Sequence, residues 1–578
     1  MEEKKRTGYP SIDKPWLKYY CGEAINAPLP ECTVYEYMSA CNREHGPDLA
    51  LEYFGRTTTY GELCANIGRA AQAFAALGVK VGDIVSLCTV TTPETIYAFY
   101  ALNKIGAVSN MIDPRTNADG IKEYINETGS KVLILLDAAY PKVEKLLSET
   151  GVSTVVIVSA AISMPPMMKL GYALTQGRKA PPIPYGEVYI RWPQFIEAGR
   201  ATKADACAYK KGSAAVIIHT GGTTGVPKGV VLSNDNLNIM VVMQKSSRTR
   251  MERGHRFLDI MPPFIAYGLV CGINNPLCLG LELVIIPKFD PSQFASLIFK
   301  YKPNHALGVP SYWEDLAKSP KGGDLSFIEN AITGGDRIAP AAEGKINSYF
   351  AQHNCRYRLS KSYGMTELSS TATYSVCDEC NPPESVGIPL HLNNVKIVEP
   401  GTQKELTYNE CGEICLTSPT MMLGYYQNEA ETARTLVKHD DGTTWIHTGD
   451  LGYVNEDGVL FLVDRIKRMI IRPDGHNVWP SRIEDLITKH PAVAACAVEG
   501  LKCPDNENGR IPTAFVVVCS ESDRTEALIK ELDKLSKEHL PERDMALAYR
   551  FIDVLPLTPI GKVDCRALEK ITAPECDT

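Results

Sequence analysis

No stretch of this 578-residue chain approaches the roughly 20 uninterrupted apolar residues that a membrane-crossing helix needs, so no integral membrane segment is expected. The start, Met1-Glu2-Glu3-Lys4-Lys5-Arg6, leads into polar residues and Pro10 and lacks the apolar core of a secretory signal. A cytoplasmic protein is therefore expected. Basic excess is missing too: 60 Lys and Arg stand against 68 Asp and Glu, a net charge of −8, which argues against nucleic acid as the main partner. Internal repeats and low-complexity tails are also lacking.

Cysteine is not scarce, but the 18 residues are scattered and no secretory signal precedes them, so reduced thiols, mostly buried, are the expectation. One cluster has to be weighed. Cys377 and Cys380 have zinc-ligand spacing, and Cys411 and Cys415 stand at the wide end of it. A four-thiolate site would use both pairs. Against it, Asp378, Glu379 and Pro382 read as an exposed loop.

What is present is a globular composition, 44% hydrophobic and 22% charged, in a chain longer than one core usually organises. Short apolar, β-branched runs at 132–136, 154–158, 214–218 and 283–286 read as strands buried on both faces. Residues 93–105 and 294–301 between them read as helices, and the alternation predicts an α/β fold. Prolines crowding a basic patch at 164–185 predict weakly ordered surface. After the charged strip Asp464-Arg465-Ile466-Lys467-Arg468 the composition changes. The rest reads as a small α+β domain with strands at 493–498 and 514–518. Asp523 and Glu526 are expected to form a capping box for a helix whose face carries Leu528, Leu532 and Leu535.

The run from Ile217 to Val230 carries the most chemistry. An apolar strand breaks into Thr220-Gly221-Gly222-Thr223-Thr224-Gly225-Val226-Pro227-Lys228-Gly229 and then resumes as a strand. Such a loop can turn backbone N–H groups and hydroxyls toward one point, with Lys228 adding a charge, which suits a polyphosphate. It lacks the Gly, four residues, Gly-Lys-Ser/Thr order of the common phosphate loop.

Further motifs follow in order. Thr333-Gly334-Gly335-Asp336 closes a strand with a Gly pair that lets a flat ligand approach the backbone. Ser362-Tyr363-Gly364-Met365-Thr366-Glu367 brings together a ring, hydroxyls and a carboxylate. His447-Thr448-Gly449-Asp450 sets an Asp at a Gly-flanked turn, where its two oxygens can accept from both hydroxyls of a ribose. Leu557-Thr558-Pro559-Ile560-Gly561-Lys562 presents a Lys on a tight turn. Taken singly, each has a bland reading: a core aromatic for Tyr363, a turn-forming Asp450, a solvated Lys562, a helix-start Glu367. The combination favours a joint role.

The order TGGTTGVPKG, SYGMTE, HTGDLG, DRIKRMI with a later Gly475, and LPLTPIGKVD resembles the ANL superfamily. Its members are the AMP-forming acyl-CoA synthetases, the adenylation domains of nonribosomal peptide synthetases and the beetle luciferases. The resemblance runs from Thr59-Tyr60-Gly61-Glu62-Leu63 to Leu568, and Gly475-His476-Asn477-Val478-Trp479-Pro480 resembles the acyl-CoA synthetases most. It implies a large N-terminal domain of α/β subdomains (1–463), a hinge (464–467) and a small mobile C-terminal lid (468–578). It implies that Thr220, Gly221, Gly222, Thr223, Thr224, Gly225 and Lys228 hold the ATP phosphates, with Gly221 replacing a usual Ser. Adenine would lie between Gly334-Gly335-Asp336 and Tyr363 of Ser362-Tyr363-Gly364-Met365. Asp450 would bind ribose, Arg465 would reach ribose or phosphate, Thr366 would contact the α-phosphate, and Glu367 would ligate a Mg²⁺. Lys562 would be the catalytic cation, Lys467 the pivot, and Gly475 and His476 would line the coenzyme A tunnel, with an extra residue before Gly475 altering that loop. Phe264, Ile265, Tyr267, Gly268 and Val309 would form the acyl pocket, with Ile265 where relatives often carry His.

The function implied is a carboxylate–CoA ligase using ATP, Mg²⁺ and coenzyme A on an apolar, medium-chain or aromatic small-molecule acid. The alternative is a free-standing adenylation enzyme that loads an acyl carrier protein in trans, since the chain carries no carrier domain. An amino-acid substrate is disfavoured because the 264–268 stretch offers no Asp for an ammonium. Nothing positions oxygen for a luciferase-type oxidase, and the presence of both Glu367 and Lys562 disfavours a regulator without catalysis. Whether the chain forms a homo-oligomer is left open by its sequence.

Overall fold

The computed structural model describes residues 6–571 apart from 176, 180, 221–227, 320–321, 475, 504–505 and 558–562. Three sheets form the body. The first runs in the order Gly424–Tyr425, Lys228–Ser233, Ala214–Thr220, Val108–Ile112, Ile84–Cys88, Val132–Leu136, Thr154–Val158 and Tyr189–Arg191. Its strands from Val108–Ile112 to Tyr189–Arg191 pair in parallel, and Val108–Ile112 also pairs in parallel with Ala214–Thr220. Parallel strands are covered on both faces, which is why these runs are apolar at nearly every position.

The second sheet has a parallel centre of Leu49–Tyr53, Glu282–Ile285, Arg256–Asp259, His305–Gly308, Asn330–Thr333 and Ser360–Met365, with antiparallel strands outside it. The segments leaving the C-terminal ends of these strands carry the expected acyl residues 264–268, Val309, and Gly334-Gly335-Asp336. Ligands of α/β sheets bind at such strand ends. A third, antiparallel sheet holds Asn394–Val398, Gly412–Thr417, Thr444–Val454, Leu436–Lys438 and Leu460–Arg465.

One apolar core extends from Trp16 to Leu460. After the last body strand, the short turn Ile466–Arg468 leads to a domain with its own core, built on Ile470, Val478, Ile483, Val498, Val516 and Leu532. Its sheet pairs Val493–Cys503 with Asn506–Val518 and Ala548–Phe551. The architecture is the expected large α/β body with a small C-terminal domain.

Several local expectations shift. Residues 164–185 are not irregular throughout, since Pro166–Leu174 is a helix opened by a proline in its first turn, where a missing N–H costs nothing. The small-domain helix Glu526–His539 is capped by Thr525, whose hydroxyl accepts from Leu528 N, so the expected box at Asp523 does not form. Asp523 belongs instead to a preceding 3₁₀ turn, Glu521–Asp523. Among the described residues, no helix is long and apolar enough to cross a membrane.

Candidate active site

Lys228 begins a strand antiparallel to Ala214–Thr220, with Thr220 directly opposite it, so the two strands pair as a hairpin. Gly221, Gly222, Thr223, Thr224 and Gly225 lie outside the described residues. Lys228 Nζ pairs with the Glu431 carboxylate and sits over the Tyr425 ring, 4.9 Å from its centroid. Glu431 holds the lysine at the mouth of the hairpin, a partner that no local pattern announced.

Gly334 follows the strand Asn330–Thr333, and its own N–H donates to Gly308 O. A Cβ on Gly334 would stand 2.5 Å from Ser362 Oγ, and one on Gly364 would stand 1.6 Å from the Ser370 carbonyl, at a register slip after Tyr363. Both positions require glycine for close approach. Asp336 is exposed, and its carboxylate accepts from the N–H of Arg337.

Asp450 does not stand on an open turn as expected. It lies within the strand Thr444–Val454, where Gly449 at φ +70° and register slips on both sides make a bulge. Bulges in strands re-aim a side chain. Here Asp450 Oδ2 accepts from Tyr363 OH at 2.7 Å and Oδ1 accepts from Arg465 Nε at 3.1 Å, Arg465 being its cross-strand partner. Burial and the neighbouring Asp450 charge hold the Tyr363 phenol well above its ordinary range, so it stays a donor. Aromatic ring, carboxylate and guanidinium thus form one cluster from three strands of two sheets.

Thr366 and Glu367 occupy a 3₁₀ turn after Met365. Glu367 is buried, and its Oε1 accepts from Tyr425 OH at 2.7 Å. Tyr425 therefore joins the two acidic anchors of the site, Glu367 and, through its ring, the Lys228–Glu431 pair. Two residues before Tyr363 on the same strand, Lys361 forms a buried pair with Glu343, with Lys361 Nζ 2.9 Å from Glu343 Oε2.

A small cavity beneath this cluster is lined by Gln244, Tyr267, Cys271, Asn275, Ser362 and Thr371, among others. Of the expected acyl residues only Tyr267 lines it. Phe264, Ile265, Gly268 and Val309 lie outside that lining, with Phe264 stacked under the Arg115 guanidinium at 5.2 Å. The reason is a π-helix over Tyr267–Asn274, whose wider turn carries Tyr267, Cys271 and then Asn275 to the same wall. Tyr267 OH and both amide atoms of Asn275 are buried without a hydrogen-bond partner. The only sequence signal for Asn275 was a polar pair, Asn274-Asn275, inside an apolar run.

In the small domain, His476 Nε2 donates to Asp544 Oδ1 at 2.8 Å within its own domain, on the hairpin Ile470–Ile471 with Asn477–Val478. Gly475 and Lys562 lie outside the described residues. Lys467 is exposed on the connecting turn. The domains meet through Arg337, whose Nη1 and Nη2 donate to the Asp485 carboxylate at 2.6 and 2.5 Å, and through Ser481 N, which donates to Asp464 Oδ2 at 3.0 Å.

The four-thiolate site does not form. Cys377 and Cys380 face each other with sulfurs 2.9 Å apart, Cys411 is exposed, and Cys415 is buried beside His439 and His447. Cys411 precedes the strand Gly412–Thr417, whose alternation turns Cys415 inward.

The chain is 28% identical over 569 residues to the long-chain-fatty-acid–CoA ligase of Bacillus subtilis (strain 168), covering 96% of this chain and 97% of that protein. It is 28% identical over 516 residues to 4-coumarate:CoA ligase 1 of Petunia hybrida, covering 87% of each. The fold matches that of ATP-bound MatB from Rhodopseudomonas palustris with a TM-score of 0.78 and 24% identity, over 93% of this chain and 98% of the other. The AMP-binding enzyme family matches residues 39–426 and its C-terminal domain residues 482–562. That match spans more than half of the chain, which therefore belongs to the AMP-binding enzymes and, with them, to the ANL superfamily.

Proposed function

We propose that the chain is an AMP-forming acyl-CoA synthetase: it activates a carboxylic acid with ATP through an enzyme-bound acyl-AMP and passes the acyl group to coenzyme A. The observation that carries this reading is the Tyr363–Asp450–Arg465 cluster beside Gly334 and Gly335. A planar base can slide over a backbone stripped of side chains, while a carboxylate already fixed by two donors keeps lone pairs for ribose hydroxyls.

A carboxylate is a poor electrophile because its leaving group would be oxide. Attack of its oxygen on the α-phosphate of ATP expels pyrophosphate and makes AMP the later leaving group, which a thiolate then displaces. Charge builds on the α-phosphate as two anions meet, so fixed cations and donors matter most. Lys228, held by Glu431, and the hairpin loop would take the terminal phosphates. Thr366 would donate to the α-phosphate, and Lys562 would supply the cation from the small domain. Glu367 suits Mg²⁺: it is a buried carboxylate with one oxygen engaged by Tyr425, and hard cations prefer such oxygens. When bound, that ion would offset phosphate charge.

The apolar acid expected from Phe264 and Ile265 gains a qualification from the cavity wall. Leaving Tyr267 OH and the Asn275 amide unpaired against an alkyl chain is costly. An aromatic acid bearing a hydrogen-bonding substituent therefore fits better than a plain alkyl acid. The test is pyrophosphate release across a panel of alkyl, aryl and hydroxyaryl acids with ATP and Mg²⁺, with and without coenzyme A. Hydroxyaryl acids should lead and coenzyme A should raise turnover. If only a phosphopantetheinylated carrier protein raises it, the carrier-loading alternative replaces this reading.

A further inference from the structure

A second constellation lies behind the Asp450 bulge, on the antiparallel sheet. Cys415 stands opposite His447 across paired strands, and His439 approaches from the end of the strand Leu436–Lys438. One ligand atom from each of the three lies within 4.8 Å of the others. Cys415 is fully buried, His439 is 4% exposed and the His447 side chain 18%.

The hydrogen bonds around these rings fix their chemistry. Glu413 Oε2 accepts from His447 Nδ1 at 3.0 Å, which puts the proton on Nδ1 and aims the Nε2 lone pair at the cluster. A carboxylate behind a histidine is the usual outer partner of a metal-bound imidazole. His439 Nε2 faces that lone pair at 2.8 Å, while its own Nδ1 is buried with no partner. The His439 proton can therefore move to Nδ1 without breaking a second hydrogen bond, freeing Nε2 to ligate. The neighbouring cation, Lys396, is already paired with Asp441 at 2.5 Å and leans on the Trp445 ring. Glu413 Oε1 accepts from Gly449 N at 3.1 Å, so the same carboxylate ties the cluster to the bulge that presents Asp450.

We propose that Cys415, His439 and His447 form a buried site for one Zn²⁺ ion, completed by a water molecule and linked through Glu413 to the Asp450 bulge. One thiolate and two imidazoles in this compass are a zinc ligand set. Zinc is held by a thiolate, so binding would displace the Cys415 thiol proton to solvent, and affinity should fall with falling pH.

The test uses the untagged full chain, stripped with a chelator and reloaded with Zn²⁺ alone or Co²⁺ alone. Elemental analysis after desalting should find one Zn²⁺ per chain. Co²⁺ should produce a thiolate-to-cobalt charge-transfer band and the intense visible bands of a tetrahedral ion. Cys415→Ser should abolish the charge-transfer band, and Glu413→Gln should weaken binding by about 10–100-fold. Wild-type protein that retains no stoichiometric Zn²⁺ overturns the site whatever the variants do, leaving a hydrogen-bonded histidine pair. Full stoichiometry with an unchanged cobalt spectrum in Cys415→Ser, which is isosteric and accommodated by the same strand, also overturns it.

Discussion

The proposed nucleotide face of the body and the small domain are built on different plans. On the body each charged group is locked by another part of the body: Asp450 by Tyr363 and Arg465, Glu367 by Tyr425, Lys228 by Glu431. In the small domain the expected His476 is tied to its own domain through Asp544, while Gly475 and Lys562 lie outside the described residues. Among the described residues, polar links between the two include Arg337 with Asp485, Ser481 with Asp464 and the Val463 carbonyl, and Arg468 with Asp464. On this reading folding of the body sets the proposed nucleotide face, and the contacts of the small domain with the body are those a proposed hinge would exchange.

The largest effect should come from breaking the body's frame. Lys361→Ala strips the buried Glu343 carboxylate of its close partner and leaves Arg358, at 3.8 Å, as its remaining cation, which should cost up to about 3–5 kcal/mol in denaturant unfolding. A loss near zero would mean that the pair does not hold that strand.

Next comes the small domain's own contribution. Lys562→Ala should slow acyl-AMP formation by on the order of 10²–10³ while leaving the reaction of supplied acyl-AMP with coenzyme A near normal. Lys467→Pro, which fixes φ at the pivot, should do the reverse. Single-turnover measurement of each half-reaction separates them, and equal damage to both halves by Lys562→Ala would erase the proposed division of labour.

Asp450→Ala should weaken ATP binding by about 1.5–3 kcal/mol, measured by calorimetry, because ribose hydroxyls lose a charged acceptor. An intact affinity with a sharply lower Tm would assign Asp450 to the sheet rather than to the ligand.

The smallest effect is expected at the contact between domains. Arg337→Ala removes a partly exposed ion pair, 24% and 17% exposed on its two sides, and should change stability by no more than about 1 kcal/mol. It should nevertheless raise protease cutting at the 466–468 turn if that pair holds the present domain orientation. Unchanged cutting would show that other contacts hold it.

Particular residues mark what was legible in advance. The strands 132–136 and 154–158 could be read because strands covered on both faces must be apolar at every position, and Thr220, Gly334, Tyr363, Asp450 and Arg465 stood in motifs with ordered spacing. The cap of the 526–539 helix was misread because Thr525 and Asp523 are both good N-cap residues. Choosing between them depends on where the preceding 3₁₀ turn stops.

The sequence by itself determined the two-domain α/β architecture, the order of the motifs and the family, since these follow from hydrophobic period, glycine placement and residue type along one dimension. Only the tertiary structure decided which of those residues meet. Asp450 reaches Tyr363 across 87 residues, Lys228 reaches Glu431 across 203, and Tyr425 reaches Glu367 across 58. The cavity wall of Tyr267, Cys271 and Asn275 depends on a π-helical turn, and the Cys415–His439–His447 cluster on strand register. Contacts of this kind are set by how sheets pack and how strands pair, quantities to which many distant side chains contribute, so no local stretch of sequence encodes them.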